Sequence, residues 1–296
     1  MATIGVQAMM LKQSFEQVGA FETLRKVSDI GYHAVEISQI PMDEANVAEL
    51  EQARSELGMD IAALSVSLQS TPGRPGDSLE SNFEKVVEDA QRLGSGLLRI
   101  GMMPFDAMGS ISRVVDFAKL ANDYAHRLAE HDLKLYYHNH HIEFAKFDGV
   151  YMLDIIEDNS PLMGLEIDVH WVQRGGLDPV RTLRKYAGKT AMVHLKDYRI
   201  GALDADAMQL LEAGDFAGFM GKFKDVVQFA EVGEGNLDFA SIVPTAVETG
   251  AQYLLVEQDD LYGRTVWEAL ETSYNNLQKL GFGDLFAADT PSALKA

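Results

Sequence analysis

The sequence predicts an α/β protein folded as a (β/α)8 barrel, the fold also called a TIM barrel. Eight short apolar runs alternate with segments in which apolar residues recur at helical spacing. The last four of these runs each end on a side chain that can bind a metal ion. In such a barrel, the carboxyl ends of all strands meet at one open face, so residues distant in sequence become neighbours. These observations predict a fold and a site together.

The length and composition of the chain allow one such barrel. The protein has 296 residues, of which 47% are apolar, and barrels of this class commonly take about 250 residues. We therefore predict a single barrel domain over residues 1–296, with an enlarged loop at about 200–230 and a short C-terminal tail after residue 281. The small and polar residues of the tail predict that it is partly mobile.

The predicted strands are nearly continuous apolar runs, as expected for parallel strands that are covered on both faces. Through the middle of the chain they recur about every thirty residues, which matches one βα unit. In order they are TIGVQAMM (3–10), HAVEIS (33–38), DIAALSVSL (60–68), LLRIGM (97–102), LKLYYH (133–138), MGLEID (163–168), AMVHLK (191–196) and QYLLVE (252–257).

The segments between the strands predict helices. Apolar residues recur three or four positions apart from Phe21 to Ile30 and from Val47 to Leu57, where Gly58 is a predicted helix stop. Residues 265–280 predict a closing helix. Between residues 199 and 229 the pattern is helical only in part, which predicts either a loop that overhangs the site or an extra outer helix.

Side chains that can bind a metal stand at the ends of the last four runs. They are His138, Asp168, His194 and Glu257. Because side chains alternate along a strand, Glu166, Asp168 and His170 are expected to share one face, and His194 is expected to share a face with Lys196. Since strand ends converge at the open face of a barrel, the sequence predicts one metal site there.

The fifth run is rich in histidine, in the segment YYHNHHIEF (136–144). We assign His138 as the metal ligand and His140, one step further out, as a group that transfers a proton near neutral pH. A lone histidine in a strand is more often a hydrogen-bonded core residue. The cluster of three histidines with Asn139 among them favours a functional role instead.

Other residues are predicted to move a proton or to bind substrate. Glu257 and Lys196 join His140 as candidates for proton transfer. Glu36, near the end of the second run, would bind a sugar hydroxyl or orient a ligand, with an ordinary hydrogen-bonded barrel residue as the alternative. Trp171 would offer an apolar face to a sugar ring, with packing at the rim as the alternative. The predicted substrate contacts are Glu36, His170, Trp171 and Asp197.

The residue types limit the choice of metal ion. The chain has no cysteine, so any metal is held by His, Asp and Glu. A set of two histidines and two carboxylates suits Mn²⁺, Mg²⁺, Co²⁺ or Zn²⁺, and we favour Mn²⁺.

The charge of the chain excludes some partners. With 45 acidic and 25 basic residues the net charge is −20, which opposes binding to nucleic acid and to anionic membrane surfaces. The first residues, MATIGVQAMMLK, contain no basic leader and no apolar stretch of signal-peptide length, so we expect a cytoplasmic enzyme. In EVGEGNLDF (231–239), Gly233 and Gly235 predict a tight turn in preference to a phosphate-binding loop.

Five ordered motifs resemble those of the xylose isomerase-like TIM barrel superfamily, and more narrowly of its bacterial sugar phosphate isomerase/epimerase group. The motifs are YHNHHIEF (137–144), EIDVHWVQRGGLDPV (166–180), VHLKDY (193–198), EVGEGNLDF (231–239) and LLVEQDD (254–260). The resemblance implies a divalent metal bound by His138, Asp168, His194 and Glu257. Many members place a glutamate where His138 stands, so a symmetric mechanism with two glutamates is not expected, and a histidine base becomes the better candidate.

The resemblance implies removal of a proton next to the carbonyl of a sugar or keto-sugar, with several outcomes. Reprotonation makes an epimerase or an isomerase. Loss of a neighbouring group makes a dehydratase or lyase, as in inosose dehydratases and the catalytic subunits of C-glycoside deglycosidases. The alternatives from other classes are a non-catalytic sugar-binding barrel and a metal-dependent DNA-repair enzyme, which the charge opposes. A homo-oligomer or a companion subunit stays open, because outer-helix residues serve core and interface alike.

Overall fold

The computed structural model describes residues 2–70 and 77–286, and at its centre is a closed barrel of eight parallel strands. Each strand pairs with the next one in the chain, and the last pairs with the first. The strands are β1 (Thr3–Gln7), β2 (Ala34–Ile37), β3 (Asp60–Val66), β4 (Leu97–Ile100), β5 (Lys134–His138), β6 (Gly164–Asp168), β7 (Thr190–Leu195) and β8 (Tyr253–Val256). The predicted fold class is therefore confirmed.

The helices surround the barrel and cover the outer face of its strands. They are α1 (Lys12–Ile30), α2 (Glu44–Leu57), α3 (Phe83–Arg92), α4 (Ile111–Ala129), α5 (Met152–Asn159), α6 (Val169–Arg174), α7 (Pro179–Lys185), α8 (Ala205–Glu212), α9 (Phe216–Lys224), α10 (Phe239–Glu248) and α11 (Val266–Lys279). Gly58 ends α2 with a φ of 65°, a left-handed conformation that glycine adopts at low cost. None of the helices in the described ranges combines the length and apolar character of a membrane span.

Apolar side chains close the barrel from below. The main core lies between strands and helices, where residues such as Leu24 and Val27 of α1 are fully buried. A separate buried cluster is formed by Ala63, Leu97, Tyr136, Ala191 and Met192. These residues come from β3, β4, β5 and β7, and each stands two or three residues before a polar residue of the same strand, namely Ser65, Arg99, His138 or His194. The polar side chains of the barrel therefore rest on an apolar floor.

The first strand is shorter than its apolar run. It ends at Gln7, and Ala8–Leu11 form a 3-10 turn. The Gln7 side chain accepts a hydrogen bond from the backbone N–H of Met9, which closes the turn locally. The predicted extension of the strand to residue 10 is therefore wrong, because a side chain within the run caps the backbone.

The enlarged segment between β7 and β8 has two parts. Asp197–Ile200 pairs with Val227–Ala230 as an antiparallel hairpin at the barrel rim. In the sequence, α8 and α9 lie in the connection between these two strands. No side chain of α9 is buried. The hairpin corresponds to the predicted loop over the site, and the two helices correspond to the alternative of an extra outer layer.

The C-terminal part ends the barrel with a helix. Helix α11 matches the predicted closing helix and begins at Thr265, whose side chain and that of Glu268 form a reciprocal cap. Phe286 is buried against Tyr32 and Tyr274, with ring centroids 5.3 and 4.5 Å apart. The predicted mobile tail lies for the most part at residues 287–296, outside the described residues. The assignment of the whole chain to one domain stays a prediction.

Candidate metal centre

The four predicted metal ligands meet at the open end of the barrel. His138, Asp168, His194 and Glu257 each offer a ligand atom, and these atoms lie within 4.8 Å of one another. All four side chains are buried. They come from β5, β6, β7 and the residue after β8, so the convergence of adjacent parallel strands brings them together.

Asp168 uses its two carboxylate oxygens for different purposes. As the last residue of β6 and the N-cap of α6, it accepts the Trp171 backbone N–H at Oδ1, at 3.0 Å. Its backbone N–H donates to Asn139 Oδ1 at 3.1 Å, which ties β6 to the segment after β5. Oδ2 lies 3.8 Å from His194 Nδ1. The cap therefore fixes one oxygen and leaves the other directed at the cluster.

The two ring nitrogens of His194 also have different partners. Its Nε2 lies 2.9 Å from Glu36 Oε2 and 3.1 Å from Glu166 Oε1. Its Nδ1 faces the cluster and lies 2.5 Å from Glu257 Oε2. Burial lowers the pKa of His194, but the neighbouring carboxylates of Glu166, Glu257 and Glu36 outweigh burial and raise it well above its ordinary value. A carboxylate on one imidazole nitrogen is the usual way to orient the other toward a metal.

The other two candidate ligands also have one atom held by a neighbour. Glu257 accepts a hydrogen bond from Gln7 Nε2 at Oε1, over 3.4 Å, and directs Oε2 toward His194. His138 Nδ1 lies 3.2 Å from Glu166 Oε2, which leaves its Nε2 for a metal. The rings of His138 and His194 are 4.5 Å apart between centroids.

A second charged layer lies directly beneath the four candidate ligands. Arg99 Nε is 3.0 Å from Glu36 Oε1 and 2.7 Å from Glu166 Oε2. Its Nη1 donates to Ser38 and Ser65 at 3.4 and 3.3 Å. Burial raises the pKa of Glu36 to about 7, although Arg99 opposes this shift. Glu36 lies under the cluster in contact with His194, so the structure favours its predicted role in orienting a ligand over contact with a sugar hydroxyl.

The donor set and its charge fit a divalent cation. Glu36, Glu166, Asp168 and Glu257 are buried carboxylates, and the buried cations beside them are Arg99 and Lys196. Even with His194 protonated, the four carboxylates exceed the cations by one negative charge, and burying unpaired charge is costly. Burial raises the pKa of Asp168 to about 6. Among the described residues, Asp168 Oδ2, His194 Nδ1 and Glu257 Oε2 are buried and make ion-pair contacts but no hydrogen bond of ordinary geometry. Two imidazoles and two carboxylates match the ligands that Mn²⁺ and Zn²⁺ accept.

Lys196 lies among the carboxylates at the top of the cluster. Its Nζ is 3.2 Å from Asp168 Oδ2, 3.1 Å from Glu257 Oε2 and 2.7 Å from Asp259 Oδ2. Burial lowers the pKa of Lys196, but the carboxylates of Asp168, Glu257 and Asp259 outweigh burial and raise it. Lys196 is therefore held as an ammonium, which favours a role as hydrogen-bond donor over its predicted alternative as a base.

His140 stands one layer further out than the candidate ligands. Its ring lies 4.8 Å from that of His138 and 5.5 Å from that of Trp171, measured between centroids. Its backbone N–H donates to Glu143 Oε2 at 2.8 Å. Burial, aided by Lys196 and Arg99, lowers the pKa of His140 to about 3. The imidazole is therefore neutral at physiological pH, but a group with so low a pKa is a weak base, which departs from the predicted proton transfer near neutral pH.

Aromatic side chains form the rim beside His140. His170 stacks on Phe229 with centroids 4.5 Å apart, and Trp171 lies 5.8 Å from Phe229. The prediction that His170 continues the face of Glu166 is wrong, because Asp168 caps α6 and the chain turns into a helix at Val169. His170 still reaches the rim, where its Nδ1 lies 2.8 Å from the Asp197 carbonyl oxygen.

The Asp197 carboxylate binds backbone N–H groups of the protein and does not face the open end of the barrel. Its carboxylate accepts the backbone N–H groups of Gly233 and Gly235 at 2.9 and 2.8 Å, and those of Tyr198 and Leu237 at 2.6 and 3.2 Å. A Cβ at position 235 would collide with this carboxylate. The structure therefore favours the tight-turn interpretation of the two glycines, and the predicted contact of Asp197 with substrate has no free oxygen to support it.

Comparison with known proteins decides the family. The model of the xylose isomerase-like TIM barrel family matches residues 24–273. The chain belongs to this family. No curated protein matches its sequence significantly.

Several solved structures share the fold of this xylose isomerase-like chain. A sugar phosphate isomerase/epimerase from Parabacteroides distasonis is 19% identical, with a TM-score of 0.70 and 95% of each chain covered. An L-ribulose 3-epimerase is 17% identical, with a TM-score of 0.64 and 96% of each chain covered. A probable 3-DHS dehydratase from Bacillus anthracis is 14% identical, with a TM-score of 0.63, and the match covers 94% of this chain and 99% of that one. At these identities the likeness shows the fold alone.

The second charged layer and part of the rim were missed by the sequence reasoning. Gln7, Arg99 and Phe229 were not singled out as site residues, yet the first two contact Glu257 and Glu166 and the third stacks on His170. Arg99 carried a signal, because an arginine inside the apolar run LLRIGM requires a buried partner. For Gln7 and Phe229 the sequence held no comparable signal.

Proposed function

We propose that this protein is a divalent-metal-dependent enzyme of isomerase or epimerase type that removes a proton next to the carbonyl of a sugar or keto-sugar. One observation carries the proposal. Asp168, His194 and Glu257 each have one atom fixed by a neighbour outside the cluster and a second atom directed into it. This arrangement, with His138 beside it, prepares a site for one cation.

The proposed cation supplies the electrophile. When bound, a divalent ion, for which Mn²⁺ is the first candidate, acts as a Lewis acid toward oxygens of the substrate and lowers the cost of forming an enediolate. His138, Asp168, His194 and Glu257 would hold it. The buried Glu36 and Glu166 would orient the histidines from below, since their oxygens lie 2.9 to 3.2 Å from ring nitrogens.

The residues at the rim would move the proton. His140 is neutral and half-buried, and its Nδ1 has no hydrogen-bond partner among the described residues, so it is the first candidate for the base. Lys196, held as an ammonium, would donate a hydrogen bond to the oxygen that gains negative charge. Glu257 would be the second candidate for proton transfer, from within the ligand set.

A keto-sugar dehydratase or lyase is the second candidate function. His138 stands at the end of β5, and His140 follows it two residues later. The site therefore has an imidazole at the position where epimerases that use a pair of glutamates have a carboxylate. One imidazole base is sufficient to start an elimination, whereas exchange between two faces of a carbon needs an acid or base on each. One structural neighbour is named a probable dehydratase.

The experiment is deuterium uptake from heavy water. Metal-loaded protein is incubated with a panel of free and glycosylated keto-sugars, and hydrogen exchange next to the carbonyl is followed by NMR. We expect exchange with at least one member of the panel, and the product then separates reprotonation from elimination. The absence of exchange across the panel, with metal bound, would contradict the proposal and favour a sugar-binding barrel without chemistry. We expect the enzyme to act in the cytoplasm, and association with another chain stays a prediction.

A further inference from the structure

We infer that the site accepts an uncharged sugar and excludes a phosphorylated one. This inference rests on the proposed function, since it describes the substrate of the same site. It follows from the state of the groups that bind phosphate in proteins, which are cationic side chains and free backbone N–H groups.

The two cations at the cluster, Lys196 and Arg99, already form ion pairs with carboxylates of the protein. Lys196 is surrounded by the carboxylates of Asp168, Glu257 and Asp259 at 2.7 to 3.2 Å. Arg99 lies beneath the candidate ligands, is 5% exposed, and contacts two carboxylates. A phosphate would have to displace a carboxylate from one of these cations, and neither cation would gain charge compensation by the exchange.

Three backbone donors near the rim already have acceptors within the protein. The glycine-containing turn EVGEGNLDF is the segment that resembles a phosphate loop, but the N–H groups of Gly233 and Gly235 both donate to Asp197 Oδ2. At the start of α6, the Trp171 N–H donates to Asp168 Oδ1. Acidic side chains of the protein thus occupy the positions that a phosphate would need.

The net charge of the site opposes an anion even when a divalent ion is bound. Asp259 adds a fifth carboxylate to the four buried ones, against Lys196 and Arg99. A divalent cation therefore leaves one excess negative charge when the histidines are neutral. Like charges brought together in a partly desolvated site repel strongly, so a phosphate dianion is disfavoured.

The atoms at the rim match hydroxyl groups instead. His170 Nδ1 faces a carbonyl oxygen, so this nitrogen carries the hydrogen of the neutral ring and Nε2 is an acceptor. His170 Nε2 and Trp171 Nε1 are buried atoms without a hydrogen-bond partner in the described part of the chain. A hydroxyl group that reached these buried atoms would donate to the first and accept from the second, whereas a phosphate dianion has no hydrogen to donate to His170 Nε2.

Arg174 is an exposed cation, in the described part of the chain, that would favour a phosphate. Its guanidinium lies over the Trp171 ring, 5.6 Å from the centroid. A phosphorylated sugar stacked on Trp171 would bind through Arg174. The inference therefore requires that Arg174→Gln leaves the preference for uncharged sugars in place.

The test uses matched pairs of ketoses that differ only in a phosphate, namely D-fructose with D-fructose 6-phosphate and D-ribulose with D-ribulose 5-phosphate. Deuterium exchange and thermal stabilisation are measured for the metal-loaded protein with each of the four compounds. We expect the exchange efficiency, kcat/KM, to be at least about 100-fold lower for the phosphorylated member of a pair. Asp259→Asn should narrow this difference, and the remote, exposed Asp29→Asn should leave it unchanged.

The two failures can be distinguished. If no ketose exchanges deuterium, the proposed chemistry fails, and thermal stabilisation then decides the inference alone. A response to the phosphorylated member that equals or exceeds the response to its uncharged partner, in either measurement, would overturn the inference. A preference that narrows in Arg174→Gln would overturn it too, because removing a cation should only weaken the binding of a phosphate.

Discussion

The two halves of the barrel contribute different residues to the site. Strands β5 to β8 end on the four candidate ligands, His138, Asp168, His194 and Glu257. Strands β1, β2 and β4 supply Gln7, Glu36 and Arg99, which contact that set or its neighbour Glu166 from one layer below. One half would bind the metal and also supplies Glu166, which contacts His138 and His194. The other half supplies Gln7 and Glu36, which contact Glu257 and His194, and Arg99, which contacts Glu166.

The difference shows how a barrel can orient ligands across its axis. Gln7 contacts Glu257 at the end of the neighbouring strand β8, whereas Glu36 contacts His194 and Arg99 contacts Glu166 on strands that are not their neighbours. A ligand that is held at one atom has lost most of its freedom before the cation arrives, which reduces the entropy cost of binding. Changes in the ligand half should therefore abolish binding, and changes in the support half should weaken it.

Asp168→Asn tests the ligand half and is expected to have the largest effect. Asparagine keeps an oxygen to cap α6 at the Trp171 N–H, so the fold should be retained, while the anionic oxygen directed at the cluster is lost. Metal affinity should fall by more than the roughly 100-fold upper range typical of outer-shell changes. Calorimetric titration with Mn²⁺ measures it, with the exposed Asp123→Asn as the matched control.

Arg99→Met tests the charge balance of the support half. Without the guanidinium, the buried Glu36 and Glu166 lose their shared cation, and removing one partner of a buried ion pair costs about 3–5 kcal/mol of unfolding free energy. Urea denaturation compares this variant with Arg25→Met, whose arginine is exposed. A loss below about 1 kcal/mol, close to that of an exposed pair, would show that Arg99 does not stabilise this layer.

Glu36→Gln tests whether the support half orients a ligand. Glutamine can still meet His194 Nε2 but carries no charge, so the imidazole is oriented less firmly. We expect metal affinity to fall by about 10- to 100-fold with little change in the secondary structure. The exposed Glu22→Gln is the control. An unchanged affinity would separate Glu36 from the metal and return it to the predicted contact with sugar.

Gln7→Leu should have the smallest effect of the series. The contact of Gln7 with Glu257 spans 3.4 Å, which is long for a hydrogen bond, and Glu257 has Lys196 as a second partner. We expect metal affinity to fall by less than about 10-fold. An effect as large as that of Asp168→Asn would contradict the division between the two halves.

The ligand half could be predicted from sequence because its residues end apolar runs. A strand that fills a barrel is mostly apolar until it reaches the open face, so a polar residue at the end of an apolar run marks the position of a site. The support half could not be predicted in the same way. Gln7, Glu36 and Arg99 lie inside or near the ends of short runs, and their partners are 67 to 250 residues away. Only the closed barrel therefore shows which side chain each of them contacts.

The positions of the rim residues His170 and Phe229 could be predicted only in part. The alternation rule placed His170 on the face of Asp168, but it holds only while the chain stays extended, and the Asp168 cap starts a helix at the next residue. Phe229 belongs to a hairpin whose second strand follows two helices. Nothing in its own neighbourhood indicates that it stacks on His170, 59 residues earlier in the chain.

The central claim is that His138, Asp168, His194 and Glu257 bind one divalent metal ion. The most direct test is the metal content of the purified protein after Mn²⁺ loading and dialysis, measured by inductively coupled plasma mass spectrometry beside His194→Ala. The account predicts about one bound ion per chain in the wild-type protein and less than about a tenth of one in the variant. A wild-type protein that retains no metal, or a variant that retains as much as the wild type, would contradict it.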